Sequence, residues 1–247
     1  MIDKKVQTIL GLLLFVIIFS LHLFKTNAIN TSNLVSKDYP RVQGELVEHT
    51  YFALDYNELH EIPNWVYYEI TPEFLSGDIE RTNQFIEDKK VSTGSALSSD
   101  YTKSGYDRGH LCPAADMKLN LLSMKESFLM SNMTPQLPCF NRGHWAELEK
   151  QVRSIAKEVN KLIVITGPII NDPQQVIGKN EVTVPSSFYK VLYSPSTRQM
   201  VAIVMKHDCA NETSVISVDS LETITGIDFF ATMDIEIQEQ LEVSEAW

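Results

Sequence analysis

The stretch YDRGHLCPAADM, residues 106–117, sets Asp107, Arg108, Gly109 and His110 at consecutive positions, and farther along Asn132, Asn141 and Glu149 add two amides and a carboxylate. Such a cluster is either a polar surface loop or the chemical centre of the chain. The downstream residues favour chemistry. Asn141, Trp145, Glu149 and Arg153 recur every four residues, a spacing that stacks side chains along one side of a helix. Asn141 and Glu149 then lie at the edge of that helix that faces the protein. An Asn amide oxygen and a carboxylate are hard oxygen donors suited to Mg²⁺, which keeps several waters and takes few protein ligands. Two thiols, Cys112 and Cys139, with His110 make an incomplete zinc set, so a thiolate zinc centre is not indicated.

These groups need a scaffold. Trp145, Leu148, Val152, Ile155 and Val159 recur at steps of three and four, which predicts a helix with one buried face. WVYYEIT (65–71), KLIVITGP (161–168), VTVPSSFYKVLYS (182–194) and MVAIVMKH (200–207) are rich in β-branched and aromatic residues and read as strands. SPSTRQ (194–199) joins two of them as a hairpin turn. The pattern predicts a strand-rich α+β or mixed α/β sandwich with one long helix directly after the polar centre.

The chain has 247 residues, 44% of them hydrophobic, which suits one globular domain with a proper core. Its net charge of −11 lacks the basic signature of a whole-protein nucleic-acid binder. The charge is unevenly placed: residues 103–161 carry +3 and the remainder −14. Lys4 and Lys5 precede a mostly apolar run from Val6 to Phe24, about the length that spans a bilayer as a helix. Residues 1–28 therefore read as a membrane anchor or a signal peptide, with the leading lysines inside and the domain translocated. Residues 29–48 read as a polar tether and 49–247 as the functional domain.

DRGH at 107–110, NMTPQ at 132–136, and the series Asn141, Trp145, Leu148, Glu149, Arg153 together resemble the DNA/RNA non-specific endonucleases of the ββα-metal (His-Me finger) superfamily, a group that includes mitochondrial endonuclease G. DYTKSGYDRGH, VITGPII and VPSSFYKVL occur in the order of that family, and the likeness covers roughly residues 50–232. The resemblance implies a ββα-metal nuclease fold, with a central antiparallel sheet flanked by helices. It implies a metal-dependent, sugar-nonspecific endonuclease that cuts DNA and RNA and leaves 5′-phosphate and 3′-hydroxyl ends. His110 resembles the general base, which a neutral imidazole suits. Asn141 resembles the direct protein ligand of one Mg²⁺, for which Mn²⁺ could substitute. Glu149 resembles the residue that orients the waters of that ion. Arg108 and Arg81 resemble the groups that neutralise the phosphate, where a guanidinium can hold two oxygens. Asn132 and Arg153 match supporting positions that structure or orient the site, and a homodimer is compatible with the family.

Other residues have plainer readings. Asp107 is expected to fix the backbone, Gly109 to allow close packing, His144 to lie on the surface and Trp145 to lie in the core. The three cysteines allow three pairings; Cys112 and Cys139 read as inert thiols or as a pair that clamps strand to helix, which leaves Cys209 free. Sequons occur at Asn30, Asn132 and Asn211, and a glycan at Asn132 would block the site, so the chain is expected in a bacterial envelope or secreted, extracytoplasmic but outside a eukaryotic secretory route. Phosphate contacts carry little sequence information, which fits broad specificity. A nuclease-fold protein that binds nucleic acid without cutting, or a membrane-tethered scaffold, are the alternatives.

Overall fold

The computed structural model describes residues 39–171, 175–245 and 247. The apolar run Val6–Phe24 and the sequon at Asn30 lie outside them. No helix among the described residues is long and apolar enough to cross a membrane.

In chain order the strands are β1 (Glu45–Glu48), β2 (Phe52–Asn57), β3 (Ile62–Ile70), β4 (Asp107–His110), β5 (Met133–Gln136), β6 (Leu162–Ile169), β7 (Gln175–Ile177), β8 (Val182–Val184), β9 (Ser187–Ser194), β10 (Gln199–Lys206) and β11 (Thr213–Ile216). The helices are α1 (Pro72–Ser76), α2 (Leu121–Ser127), α3 (Ala146–Val159), α4 (Val218–Thr225) and α5 (Ile235–Leu241). Seven strands form one antiparallel sheet in the order β1-β2-β3-β6-β9-β10-β11, and β4 pairs only with β5.

Alternation along each strand gives the large sheet two apolar faces. Phe52, Leu54, Val66, Tyr68, Val164, Phe188 and Leu192 point to one face, where Leu148, Val152, Ala156 and Val159 of α3 cover them. Ala53, Trp65, Tyr67, Ile165, Tyr189 and Val191 point to the other, under Val218 and Leu221 of α4. Each such aliphatic side chain taken out of water contributes on the order of 1.5–3 kcal/mol. This burial fixes α3 against the sheet, and with it the polar residues on the helix.

The expected α+β architecture with a central antiparallel sheet is present, and three local expectations are corrected. The tether does not run to residue 48, because Glu45–Glu48 pair with β2 as an edge strand. The segment 182–194 is two strands, broken where Pro185 cannot donate a ladder hydrogen bond. Asn141 is not in phase with a straight helix. Phe140–Trp145 form a widened π-type turn in which Gly143 leaves helical geometry (φ −107°, ψ −105°), and the regular helix begins only at Ala146.

Candidate active site

Strands β4 and β5 lie antiparallel, with Asp107 opposite Gln136 and His110 opposite Met133, and the chain then turns into α3. This is a β-β-α unit. The pleat of β4 sends Asp107 and Gly109 one way and Arg108 and His110 the other. A Cβ on Gly109 would run into the Gln136 side chain, so the close approach there requires glycine.

On the Asp107 side, Asn141 Nδ2 donates to Asp107 Oδ2 at 2.9 Å, and Arg142 donates to both carboxylate oxygens, at 2.8 and 2.5 Å. Burial works against the Asp107 charge, yet the hydrogen bonds from Arg142 and Asn141 outweigh it and hold the carboxyl below its ordinary range. A carboxylate can only accept, so it fixes which end of the Asn141 amide faces it. Asn141 Oδ1 is thereby left as an acceptor. Asp107 is more than the backbone anchor expected of it, and two-residue alternation along β4 is the signal that separates it from His110.

On the other side, the His110 ring is buried between Phe85 and Phe128, 5.7 and 4.9 Å away between centroids and edge-on to both. Arg81, open to solvent, lies 4.8 Å over the Phe128 ring, and Arg108 lies 5.5 Å over Phe85. One imidazole thus sits between two aromatic rings, each capped by a guanidinium. Burial, with a smaller contribution from Arg81, pushes His110 down to about 3, so the imidazole is neutral at physiological pH. Its Nε2 is buried without a hydrogen-bond partner among the described residues. A buried ring nitrogen without a partner is costly unless something is meant to meet it.

Arg81 and Phe85 belong to an extended segment that sequence reasoning did not place. Ile86 exchanges backbone hydrogen bonds with Phe128 and Met130, and Asp88 accepts from Ser131 and meets His49 Nε2 at 2.8 Å in the interior. The segment is stitched to the turn before β5, which brings Phe85 and Phe128 to the histidine. No periodicity marks it.

Asn132 is fully buried. Its Oδ1 accepts from Cys112 N, and its Nδ2 donates to the carbonyls of Cys112 and Ser127. Every arm is spent on backbone just beyond His110, so Asn132 holds the strand end and has nothing left for a substrate. Arg153 likewise pairs with buried Asp116 at 2.8 Å. With Arg142 on Asp107 and Lys150 on Glu147, much of the positive charge in 103–161 is already matched. Arg108 donates to the Ser98 carbonyl and Thr102 Oγ1, leaving Arg81 the more open of the two candidate phosphate groups.

Glu149 keeps part of its surface open. Burial pushes its carboxyl up to about 7, opposed by Lys190, Arg153 and Arg81 and reinforced by Asp116. Arg81 is felt by both His110 and Glu149, so one guanidinium links the imidazole to the carboxylate. Fully buried Lys190, on β9 beneath Trp145, was not anticipated.

The loop into Asn141 is fastened twice. Leu137 N donates to His207 Nε2 at 2.7 Å, while His207 Nδ1 meets the Pro185 carbonyl at 2.8 Å. Cys139 is disulfide-bonded to Cys209. This rules out the Cys112–Cys139 pairing and a free Cys209, and Cys112 is the free, buried thiol.

Among the described residues, three acidic metal-ligand atoms converge only at Asp219, Glu222 and Glu242, away from the β-β-α unit. The site itself offers Asn141 Oδ1, its polarity set by Asp107, and the nearby Glu149. That donor set fits a hydrated divalent ion with a single direct protein ligand and fits no thiolate or histidine-rich metal centre.

A family model for DNA/RNA non-specific endonuclease matches residues 30–235. A nuclease of Nostoc is 34% identical over 208 residues, covering 77% of this chain and 75% of that protein. Human mitochondrial endonuclease G is 34% identical over 185 residues, covering 67% of this chain and 62% of that protein. A crystal structure of an EndoG/EndoGI complex, described as showing the mechanism of EndoG inhibition, superposes with TM-score 0.72 at 30% identity over 81% of this chain and 89% of that one.

Proposed function

The chain belongs to the DNA/RNA non-specific endonuclease family and is a nucleic-acid hydrolase, and on that premise we propose that His110 is its general base, with one Mg²⁺ held at Asn141. The observation that carries this reading is the buried, unpartnered His110 Nε2 on a strand whose opposite face fixes the Asn141 amide.

The neutral imidazole accepts the proton of the attacking water. Burial makes it a weak base and Arg81 adds a smaller effect in the same direction; a substrate phosphate brings negative charge to the Arg81 guanidinium and offsets that smaller effect. Arg81, with Arg108 behind it, holds phosphoryl oxygens on which charge accumulates. Asn141 Oδ1 would hold the cation, and the Glu149 carboxylate would accept hydrogen bonds from its waters, which sets their orientation. A bound divalent cation supplies positive charge to the phosphoryl and leaving oxygens, and Mn²⁺ satisfies the same donors. Departure of the 3′ oxygen leaves 5′-phosphate and 3′-hydroxyl ends. Because these contacts address phosphate, DNA and RNA are both substrates.

The Cys139–Cys209 disulfide supports a domain that matures outside the reducing cytoplasm, in an envelope-anchored or secreted bacterial setting. The buried Asn132 cannot carry a glycan in the folded chain, which agrees with that placement. A plasmid-nicking assay with Mg²⁺ and with EDTA, repeated on structured RNA, tests the reading. Cleavage abolished by EDTA and by His110→Ala is expected, and metal-independent cleavage or binding without cleavage overturns it.

A further inference from the structure

Beyond Lys206 the chain has ten Asp and Glu residues and no Lys or Arg. Three of those carboxylates converge. Val218 and Leu221 of α4 are buried against the second face of the sheet, where Leu241 of α5 packs with them. The residue after each of these, Asp219, Glu222 and Glu242, brings one carboxylate oxygen to within 4.8 Å of the other two. Asp219 N also donates to the Glu242 carbonyl at 3.3 Å, which ties the first turn of α4 to the end of α5.

Like charges this close repel one another. No salt bridge among the described residues engages Asp219, Glu222 or Glu242. Arg41, which crosses to the loop after α4, pairs with Asp228 instead. Phe229 N donates to Glu222 Oε1 at 2.8 Å, which settles one oxygen of that residue. Glu242 is the sharpest case: it is only 3% exposed, and its Oε1 is buried without a hydrogen-bond partner among the described residues. It also caps the C-terminal end of α5, where the backbone carbonyls already make the potential negative. A carboxylate oxygen taken out of water with no donor to meet it is costly. The counter-charge has to come from solution.

We propose that Asp219, Glu222 and Glu242 form a Ca²⁺ site that fastens α5 onto α4, separate from the cation site at Asn141. Three carboxylates are hard oxygen donors, and no thiol or imidazole belongs to the cluster, which sets softer metals aside. Ca²⁺ accepts irregular cages of carboxylate oxygens completed by water, whereas Mg²⁺ demands near-ideal octahedral geometry and sheds water reluctantly. Here two ligands stand three residues apart on one helix and the third ends another, and Asp219 is open to the solvent that completes the shell. The ion neutralises the converging charges and meets Glu242 Oε1. Its affinity is expected near the 10⁻⁴–10⁻³ M range, roughly that of extracellular calcium modules, which suits the extracytoplasmic setting proposed above.

The test titrates Ca²⁺ alone into the metal-free chain by calorimetry, in the native and Asn141→Ala backgrounds, with chemical denaturation in parallel. Glu242→Gln is expected to remove one bound Ca²⁺ per chain in both backgrounds, and Asp219→Asn to weaken the same binding by about tenfold or more. Ca²⁺ at about ten times its Kd is expected to raise the folding constant of the native chain about tenfold and to leave that of Glu242→Gln unmoved. In EDTA the order reverses: Glu242→Gln, with one of three like charges gone, is expected to be at least as stable as the native chain. Equal Ca²⁺ binding in the native chain and both variants overturns the inference, as does displacement of this Ca²⁺ by an equal concentration of Mg²⁺. Should Glu242→Gln not fold, Asp219→Asn, whose side chain is exposed, decides alone. The count is compared within each background and read without turnover, so failure of the catalytic metal reading at Asn141 leaves this result intact.

Discussion

Asp107 Oδ2 accepts a hydrogen bond from Asn141 Nδ2 at 2.9 Å, joining the first residue of β4 to the turn that opens α3. The contact decides the polarity of the amide, since a carboxylate repels the carbonyl end. Asp107→Asn removes that selection, because an amide can pair with either end of another amide. The expected result is a Mg²⁺ requirement raised by about 10- to 100-fold, the usual cost of losing a group that orients a metal ligand. Rate measured against Mg²⁺ concentration checks it, and an unchanged requirement would show that Asn141 is held by its backbone alone.

His110 and Asn141 should fail in different ways. With His110 as the base, His110→Ala is expected to lower turnover by about 10²–10⁴-fold with the Mg²⁺ dependence unaltered. With Asn141 as the metal's protein ligand, excess Mg²⁺ should restore part of the rate of Asn141→Ala. If metal rescues the histidine variant and not the asparagine variant, the two roles are reversed.

Much of this site was legible in the chain because its parts are local. DRGH is one short strand, and the 3.6-residue rhythm from Trp145 to Val159 sets α3 against the sheet. Phe85, Phe128 and Lys190 were not legible. Each reaches the site through non-local pairing: Phe85 through the backbone exchange of Ile86 with Phe128 and Met130, and Lys190 through β9 running beside β6. Lys190 also sits in strand text where alternation predicts an apolar residue. The helical phase of Asn141 misled because Gly143 breaks the helix between it and Glu149. Cysteine pairing misled for a related reason, since Cys139 and Cys209 are 70 residues apart and only the return of β10 beneath the helix brings them together.

That disulfide should matter to both stability and metal use. Closing a long loop restricts the unfolded chain, and its loss is expected to cost about 2–4 kcal/mol. The hydrogen bond from Leu137 N to His207 Nε2 is a separate fastening of the same loop, so on reduction the turn is expected to loosen without being lost. The expected phenotype of Cys139→Ser/Cys209→Ser is a lower unfolding midpoint together with a raised Mg²⁺ requirement. Reductant should have that effect on the native chain and none on the double variant. A stability loss with an unaltered metal requirement would confine the disulfide to a structural role and leave positioning of Asn141 to His207 and Asp107.

The two groups that would do the chemistry also pull stability in opposite directions with pH. His110 takes a proton near its ordinary value of 6.5 in the unfolded chain but resists until about 3 when folded. Between those values the unfolded state binds more protons, so stability from this site is present above 6.5 and is lost as pH falls. Glu149 is the reverse: its carboxyl, raised from 4.5 to about 7 by burial, binds a proton in the folded state where the unfolded chain has released it. Stability from Glu149 is full below 4.5 and is lost as pH rises through 7. His110→Leu, which fills the slot between Phe85 and Phe128 without a titrating atom, is expected to flatten the acid side of the stability curve of the metal-free protein. The slope removed is at most about 1.4 kcal/mol per pH unit. Glu149→Gln is expected to flatten the side between 4.5 and 7 in the other sense. Chemical denaturation across pH 3–8 in EDTA separates the two, and a wild-type acid slope that survives in His110→Leu would mean that the histidine is not held neutral by its aromatic slot.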